Sequence, residues 1–478
     1  MSKKAQLILY NQCHTEYLTQ ADEYLFIISS QKPQSPVGAL DLNIYSRLLE
    51  YAITRHCKEN IKNDKKVRFL TGESYEKLLT NYCREEQISQ LYIMKPSENY
   101  LYSYFLAIEK KLSKQVLVVR ENTQFLVAHD LFREKFDKPP IMETFYRWMR
   151  KETVLITQEG KPVGKRNFDK QNRFDKNFAD HQPLFFKKTQ GRKEAEKFYQ
   201  KEKKQLYPVT REQAYQQLRY FCENTLDRFG ELQDAMYSQS NFVHHSLLSV
   251  AINFLLTTQE VITTIEETDT PINNKEGCIR QILRREYMYH YFQFYKDTIY
   301  TENVLHIERL PSFFWWPEKS PLKMHCINNA LQKVKKHAYG HHIERLMLIG
   351  NFLLLCKIQP SDVLKWFWEM YADAFERVVT PNVLMSQFAD GSKLATKPYI
   401  SSANYINKMS NYCKSCFYDP KLKEEKACPF NYLYRDFIAE KKERYKSRQP
   451  YILKHLEKKN LKKIADQSDR FRKEYMEQ

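Results

Sequence analysis

A chain of 478 residues is long for one core and predicts two or three domains. Hydrophobic residues at 42% suffice for packed interiors, but only 10 glycines largely exclude glycine-rich nucleotide loops. A formal charge of +18 favours a polyanionic partner, through counterion release from a phosphate backbone, and no apolar run reaches the ~20 residues that a membrane span needs.

Residues 1–130 alternate strand-like and helix-like runs. QLILY, EYLFIIS, KVRFLT, QLYIMK and QVLVV are β-rich, and LNIYSRLLEYAITRHCKEN, ESYEKLLTNYCREEQ and YLYSYFLAIEKKL between them are periodic. This alternation predicts an α/β domain with a Rossmann-like, mainly parallel sheet, whose ligands belong at the carboxyl ends of the strands. Asn11, just past the first strand, reads as a plain loop residue or as a contact to such a ligand. The N-terminal apolar run is too short for a signal peptide, and ten scattered cysteines read as reduced and cytoplasmic.

Residues 131–207 read as a connector. It opens on a helical piece around METFYRWMRKE and continues as a basic stretch, with 14 Lys/Arg against 6 Asp/Glu from Lys161 to Gln205 and aromatics interleaved. Such a stretch suits a solvated linker, or phosphate and base contacts. Residues 208–478 are expected to be almost all helix, beginning behind an N-cap-like Thr210. The charged C-terminal tail is expected to be a solvated helix.

Four features carry chemistry. Cys413 and Cys416 form a CxxC turn followed by Cys428, three corners of a tetrahedron, with Cys326 the candidate fourth. Spacing alone leaves zinc, an iron–sulfur cluster and plain core cysteines open. Ser246 and Ser249 in HHSLLS could hold phosphate oxygens at a helix start, or be surface serines. His341 and His342 are adjacent on a helix, so they point to different sides and cannot line one pocket alike; an imidazole can donate and recover a proton near neutrality. Trp366 and Trp315 stand in aromatic runs that fit either a core or an electron path.

The words FYRWMR, NFDKQNR, FGELQDAM, EGCIRQIL with REYM, PSFFW, YGHHIERLMLIGNF, DVLKWFWEMYADAFE, FADG, ATKPYISSANYINKMS, YCxxC and ACPFNxLY follow one another from about Met142. Together they strongly resemble the iron–sulfur branch of the photolyase and cryptochrome family, the prokaryotic (6-4) photolyases. The first ~130 residues match only in outline. The resemblance implies an all-α FAD-binding domain after the α/β domain, with a U-shaped FAD held by Ser246 and Ser249 at its phosphates. Gln281, Arg285, Glu286, Asp373, Asn382, Asp390 and Lys397 would lie beside that cofactor. It implies His342 facing a DNA lesion, with His341, Arg345, Tyr399 and Tyr405 around it, and electron transfer through Trp366 and Trp315. Cys326, Cys413, Cys416 and Cys428 would bind a 4Fe-4S cluster, and the α/β domain can hold a 6,7-dimethyl-8-ribityllumazine antenna.

The implied function is light-driven reversal of (6-4) photoproducts in UV-damaged DNA by a cytoplasmic monomer. The rival readings are a cryptochrome-like photoreceptor without repair and a flavin-free nucleic-acid-binding metalloprotein. Several positions depart from the family pattern. YNQC replaces a GDQL-like antenna word, GKRNFD a GGKWN-like run, and QILRREYM a GWREYM-containing one. Arg377 replaces an aromatic, Val379 an acid, and Arg435 a tryptophan. An arginine at 377 is expected to place positive charge near the flavin.

Overall fold

Five β-rich runs become five parallel strands in the computed structural model, which describes residues 3–476 except 32, 62–64, 113–115, 159–160, 163–167, 169–171, 173–180, 301–308, 389–398, 449 and 458–459. The strands are β1 (Lys3–Leu7), β2 (Glu23–Gln31), β3 (Lys66–Ser74), β4 (Ile88–Met94) and β5 (Leu117–Arg120), ordered β3-β2-β1-β4-β5. Parallel strands require crossovers, which Ile44–Asn60, Tyr75–Glu85 and Asn99–Glu109 supply as helices. The first of these starts where the Asn43 side chain accepts the Ser46 amide at 3.0 Å. Ala5, Leu7 and Leu25 to Ile28 are buried, as central strands covered on both faces require.

Strand order reverses between β1 and β4, and the crevice there is where such sheets bind ligands. Here the helical half of the protein fills it. Arg377, fully buried, donates to Ser97 Oγ at 2.8 Å and Glu98 Oε1 at 2.6 Å just past β4, and to Asn253 Oδ1 at 2.9 Å. Its guanidinium lies over the Phe375 ring at 4.3 Å. Asn11 donates to Glu98 at 3.4 Å, and its carbonyl accepts from Gln124, so it is tied into this network. Glu98 neutralises the Arg377 guanidinium, which points into the α/β unit.

The helical half is organised on Ile272–Tyr295, the longest helix described. Against it pack Met142–Glu152, Phe229–Leu232, Thr258–Glu267 and Glu376–Thr380, and the same half contains helices Arg211–Asn224, His325–His337, Pro360–Met370, Ala403–Met409 and Pro429–Glu440. Thr210 caps Arg211–Asn224, accepting the Gln213 amide at 3.2 Å. No helix among the described residues is long and apolar enough to cross a membrane.

Two segments expected to be solvated are docked. Gln190–Tyr199, inside the basic connector, is a helix lying on Ile44–Asn60. Gly191 permits the approach, because a Cβ there would meet His56 Nε2 at 3.0 Å. Arg192 is buried with Glu196, at 3.3 Å, one turn on. Parts of the connector, 163–167, 169–171 and 173–180, lie outside the described residues. The C-terminal helix Leu461–Tyr475 buries Phe471 and Arg472, and Arg472 binds Asp436 at 2.6 Å and the Leu355 carbonyl at 3.4 Å. Phe471 and the paired Arg472 seat a helix that also buries Ser468 and packs Ile464 and Tyr475 against the core.

Glu376, next to the buried arginine, makes stability depend on pH. Burial, opposed by the Tyr300 hydroxyl at 2.5 Å and reinforced by the charge of Glu98, raises its carboxyl to about 7. Its folded value lies above the unfolded one, so protonation favours the fold, and stability falls as pH climbs from about 4.5 through 7. The loss is on the order of 3 kcal/mol. Glu376→Gln is expected to flatten this decline, read as urea midpoints at pH 5 and pH 8.

Candidate functional site

The four cysteines come together. Cys326 opens helix His325–His337, Cys413 and Cys416 lie on a single 3-10 turn and its end, and Cys428 caps Pro429–Glu440. All four line one small cavity with Met324 and Tyr412. Burial pushes the Cys413 thiol up to about 11 and Cys428 to about 12, and neighbouring cysteines add to both. Cys326 is raised well above its ordinary value by burial and then by the other three. Such a set ionises only around a cationic centre, which inverts the local electrostatics. Among the described residues no group of three or more His, Cys, Asp or Glu closes tightly enough for a single metal ion; four thiolates on one zinc would stand about 3.8 Å apart. Cys278 and Cys356 are buried elsewhere, as expected of core cysteines.

The two histidines do face different ways. His342 is exposed, and Nε2 meets Asp234 Oδ1 at 3.2 Å. Two residues after Asp234, the Met236 amide donates to the Met409 carbonyl at 2.9 Å and ties the FGELQDAM segment to Ala403–Met409. Tyr405, on that helix, is raised by burial and then by the Asp234 charge, which places its phenol near the same carboxylate. His341 is buried, stacks on His245 with ring centroids 4.0 Å apart, and accepts the Ile343 amide at Nδ1.

Arg345 pairs with Asp373 at 2.9 Å and lies over the Tyr371 ring at 4.1 Å. Tyr371 in turn packs edge-on to buried Trp366, whose Nε1–H donates to the Phe314 carbonyl at 3.0 Å. Trp315, partly buried, and Trp316, 48% exposed, follow Phe314 directly. An aromatic series therefore runs from Asp373 and Arg345 to the surface.

On helix Ile272–Tyr295 the expected cofactor residues separate. Gln281 donates to Gln233 at 3.2 Å. Arg284, not singled out from the sequence, donates to Asn382 Oδ1 at 3.3 Å and the Tyr399 hydroxyl at 3.5 Å. Arg285 and Glu286 instead join the network at the α/β side: Arg285 binds Asn253 at 2.9 Å and Glu286 at 2.8 Å, and Glu286 accepts the Leu126 amide at 2.7 Å. One residue on a helix is a rotation of about 100°, which turns 285 away from the face of 281 and 284. Ser249 begins helix Ser249–Phe254, and Ser246 lines a small cavity with His245, whose two ring nitrogens have no hydrogen-bond partner. Burial holds the His245 imidazole well below its ordinary range, so the neutral ring offers one N–H, and that donor with the Ser246 hydroxyl fits an anionic group. Asp390 and Lys397 lie outside the described residues. Val379 is buried, and Arg435 is half-buried.

A second cavity lies between the two halves, lined by Tyr10, Glu50, Tyr100, Phe254, Trp368 and Phe375 among others. Its walls are aromatic, with one carboxyl.

A parallel α/β unit against a helical bundle, with paired histidines, an aromatic series and four convergent cysteines, is the build of a photolyase-type protein. The family model described as deoxyribodipyrimidine photo-lyase-related protein matches residues 50–211. A (6-4) photolyase of Agrobacterium fabrum is 40% identical over 367 residues, covering 70% of each chain. The chain belongs to the photolyase–cryptochrome family, on the side of the bacterial (6-4) photolyases. In the fold alone it is similar to a bacterial class III photolyase from Agrobacterium tumefaciens, with TM-score 0.58 at 13% identity over 99% of this chain and 98% of that one. A cryptochrome from Synechocystis gives TM-score 0.59 at 11% identity, over 99% of both chains. The family brings a flavin, and light-dependent DNA repair or cryptochrome-like activity.

Proposed function

We propose that this protein reverses (6-4) pyrimidine photoproducts in UV-damaged DNA under blue light, as a cytoplasmic enzyme. The observation that carries this is the exposed His342–Asp234 pair beside Tyr405, backed by the buried His341. Asn382, Arg284 and Gln281, with Ser246 and Ser249 at the phosphates, would hold FAD; Asp390 and Lys397 are further candidates. When bound and reduced, FAD supplies on illumination the electron that opens the lesion.

The chain's own residues do the rest. Asp234 holds His342 at Nε2, which leaves Nδ1 as the nitrogen that presents a proton to the lesion atom on which negative charge develops. Tyr405 and Tyr399 offer hydroxyls and ring faces to a flipped nucleotide. Arg345, fixed by Asp373, orders the pocket floor. Trp366 and Trp315 would supply an aromatic path between a bound flavin and the surface. The four cysteines would hold a 4Fe-4S cluster that braces this face, and the cavity beside Glu50 would take a ribityllumazine-type antenna.

The test is reduced protein, lesion-bearing oligonucleotide and blue light: repair is expected in light and not in darkness. Unrepaired lesions despite retained binding to damaged DNA would favour a cryptochrome-like photoreceptor, which the apolar Val379 in place of an acid also suits. For the metal, Cys416→Ala is expected to lose most bound iron, measured by elemental analysis, while a zinc knuckle would show zinc in the unaltered protein.

A further inference from the structure

The cysteine cavity and the histidines are joined through the interior. Tyr412, fully buried at the cavity wall, donates its hydroxyl to Glu344 Oε1 at 2.8 Å. The same oxygen takes the Lys333 ammonium at 3.1 Å, and Lys333 also donates to the Tyr412 hydroxyl at 3.0 Å and the Tyr237 carbonyl at 2.7 Å. The other carboxylate oxygen, Oε2, stands 4.0 Å from His341 Nε2, an atom with no hydrogen-bond partner. Because His341 Nδ1 accepts the Ile343 amide at 3.3 Å, the proton of the neutral ring sits on Nε2 and faces Glu344. Lys333 is 5% exposed and Glu344 2%, so this is a paired charge inside the core, where an unpaired one would cost several kcal/mol.

We propose that Glu344 is a positioning residue shared by both halves of the site: one oxygen holds Lys333 and Tyr412 at the wall of the cysteine cavity, the other faces His341, so that charge on the cysteine-held group is felt at the histidines. The inference rests on the iron–sulfur reading above. Its physical basis is the low dielectric of the interior, which lets a charge change act across two or three side chains. Coupling of this kind is reciprocal, so the histidine side must act back on the metal side. The groups facing His341 are His245 from the neighbouring loop, Lys333 from helix His325–His337, and His342, Glu344 and Arg345 from its own segment. Burial, then His342, Lys333 and Arg345, holds its imidazole well below the ordinary range. Glu344 is the acid that faces the ring, with Oε2 at 4.0 Å from Nε2.

The experiment compares unaltered protein, Glu344→Gln and the double variant Glu344→Gln/Lys333→Met, which removes both charges and so avoids a stranded ammonium. Two quantities are read: the proton affinity of His341 by nitrogen-15 NMR of the imidazole, and the reduction potential of the iron–sulfur group by titration followed by electron paramagnetic resonance. Glu344→Gln is expected to weaken proton binding at His341 about tenfold. It is also expected to raise the potential by a similar factor in the equilibrium, or about 59 mV for one electron. Glu344→Asp is expected to recover part of both. The double variant is expected to fold and to bring the potential most of the way back, since the two removed charges oppose each other. A shift in only one quantity of Glu344→Gln, or in neither, overturns the proposal. Unaltered protein without iron overturns it together with the metal reading, and elemental analysis tells the two failures apart.

Discussion

Light-driven repair by His342→Ala should fall by about two to four orders of magnitude, the range of a lost general acid, with the flavin spectrum unaltered. The expectation follows from position. His342 is exposed where His341 is buried, and its Nε2 is the atom held by Asp234 at 3.2 Å. An exposed ring on a fixed carboxylate can meet a substrate and give it a proton. A buried ring stacked on His245 cannot reach one. Asp234→Asn leaves the contact distance but removes the carboxylate that orients the ring, so its repair rate should fall less than that of His342→Ala. The measurement is repair per absorbed photon for the three proteins. Equal rates for His342→Ala and the unaltered enzyme would remove the histidine from the reaction.

Arg377→Ala should cost about 3–5 kcal/mol of stability, the range for stripping one partner from a buried ion pair. Glu98 would keep its charge with no cation within hydrogen-bond reach at that oxygen, and Asn253 would retain only Arg285. The loss should appear in urea unfolding followed by circular dichroism. Arg377→Ala/Glu98→Ala should cost less than the sum of the two single changes, because no stranded carboxylate remains. An additive double variant would mean that the pair contributes no coupling. Repair and stability should separate here. Arg377 touches neither histidine nor any cysteine, so the folded fraction of the variant is expected to keep its light response.

Local pattern and long-range pairing differ in how far they can be read. The five strands were legible because each is a short β-rich run between periodic segments. The cysteine convergence was legible because CxxC bends the chain back on itself and Cys428 stands in a word shared with the family, which left Cys326 as the candidate fourth. Arg377 was visible only as a departure. Its partner Glu98 lies 279 residues away, and no local rule connects them. Arg284 and Arg285 are adjacent and chemically identical, and only the rotation of helix Ile272–Tyr295 against its neighbours decides which one meets Asn382 and Tyr399. The connector helix Gln190–Tyr199 read as linker because its charges dominate, while the features that seat it are a glycine against His56 and an Arg192–Glu196 pair that closes within one turn.

The C-terminal helix has a bearing on the order in which this protein matures. Through Arg472 it fastens the element behind Cys428 to the Leu355 carbonyl, at the end of the segment that starts with the paired histidines. The ribosome makes Leu461–Tyr475 after every part it fastens. A nascent chain therefore carries all four thiols and both imidazoles before it has the clasp that locks their scaffolds together. A metal group held by these thiols, as proposed above, would be loaded in that interval, while the walls of the cavity can still part, with closure of this helix sealing in what has been delivered.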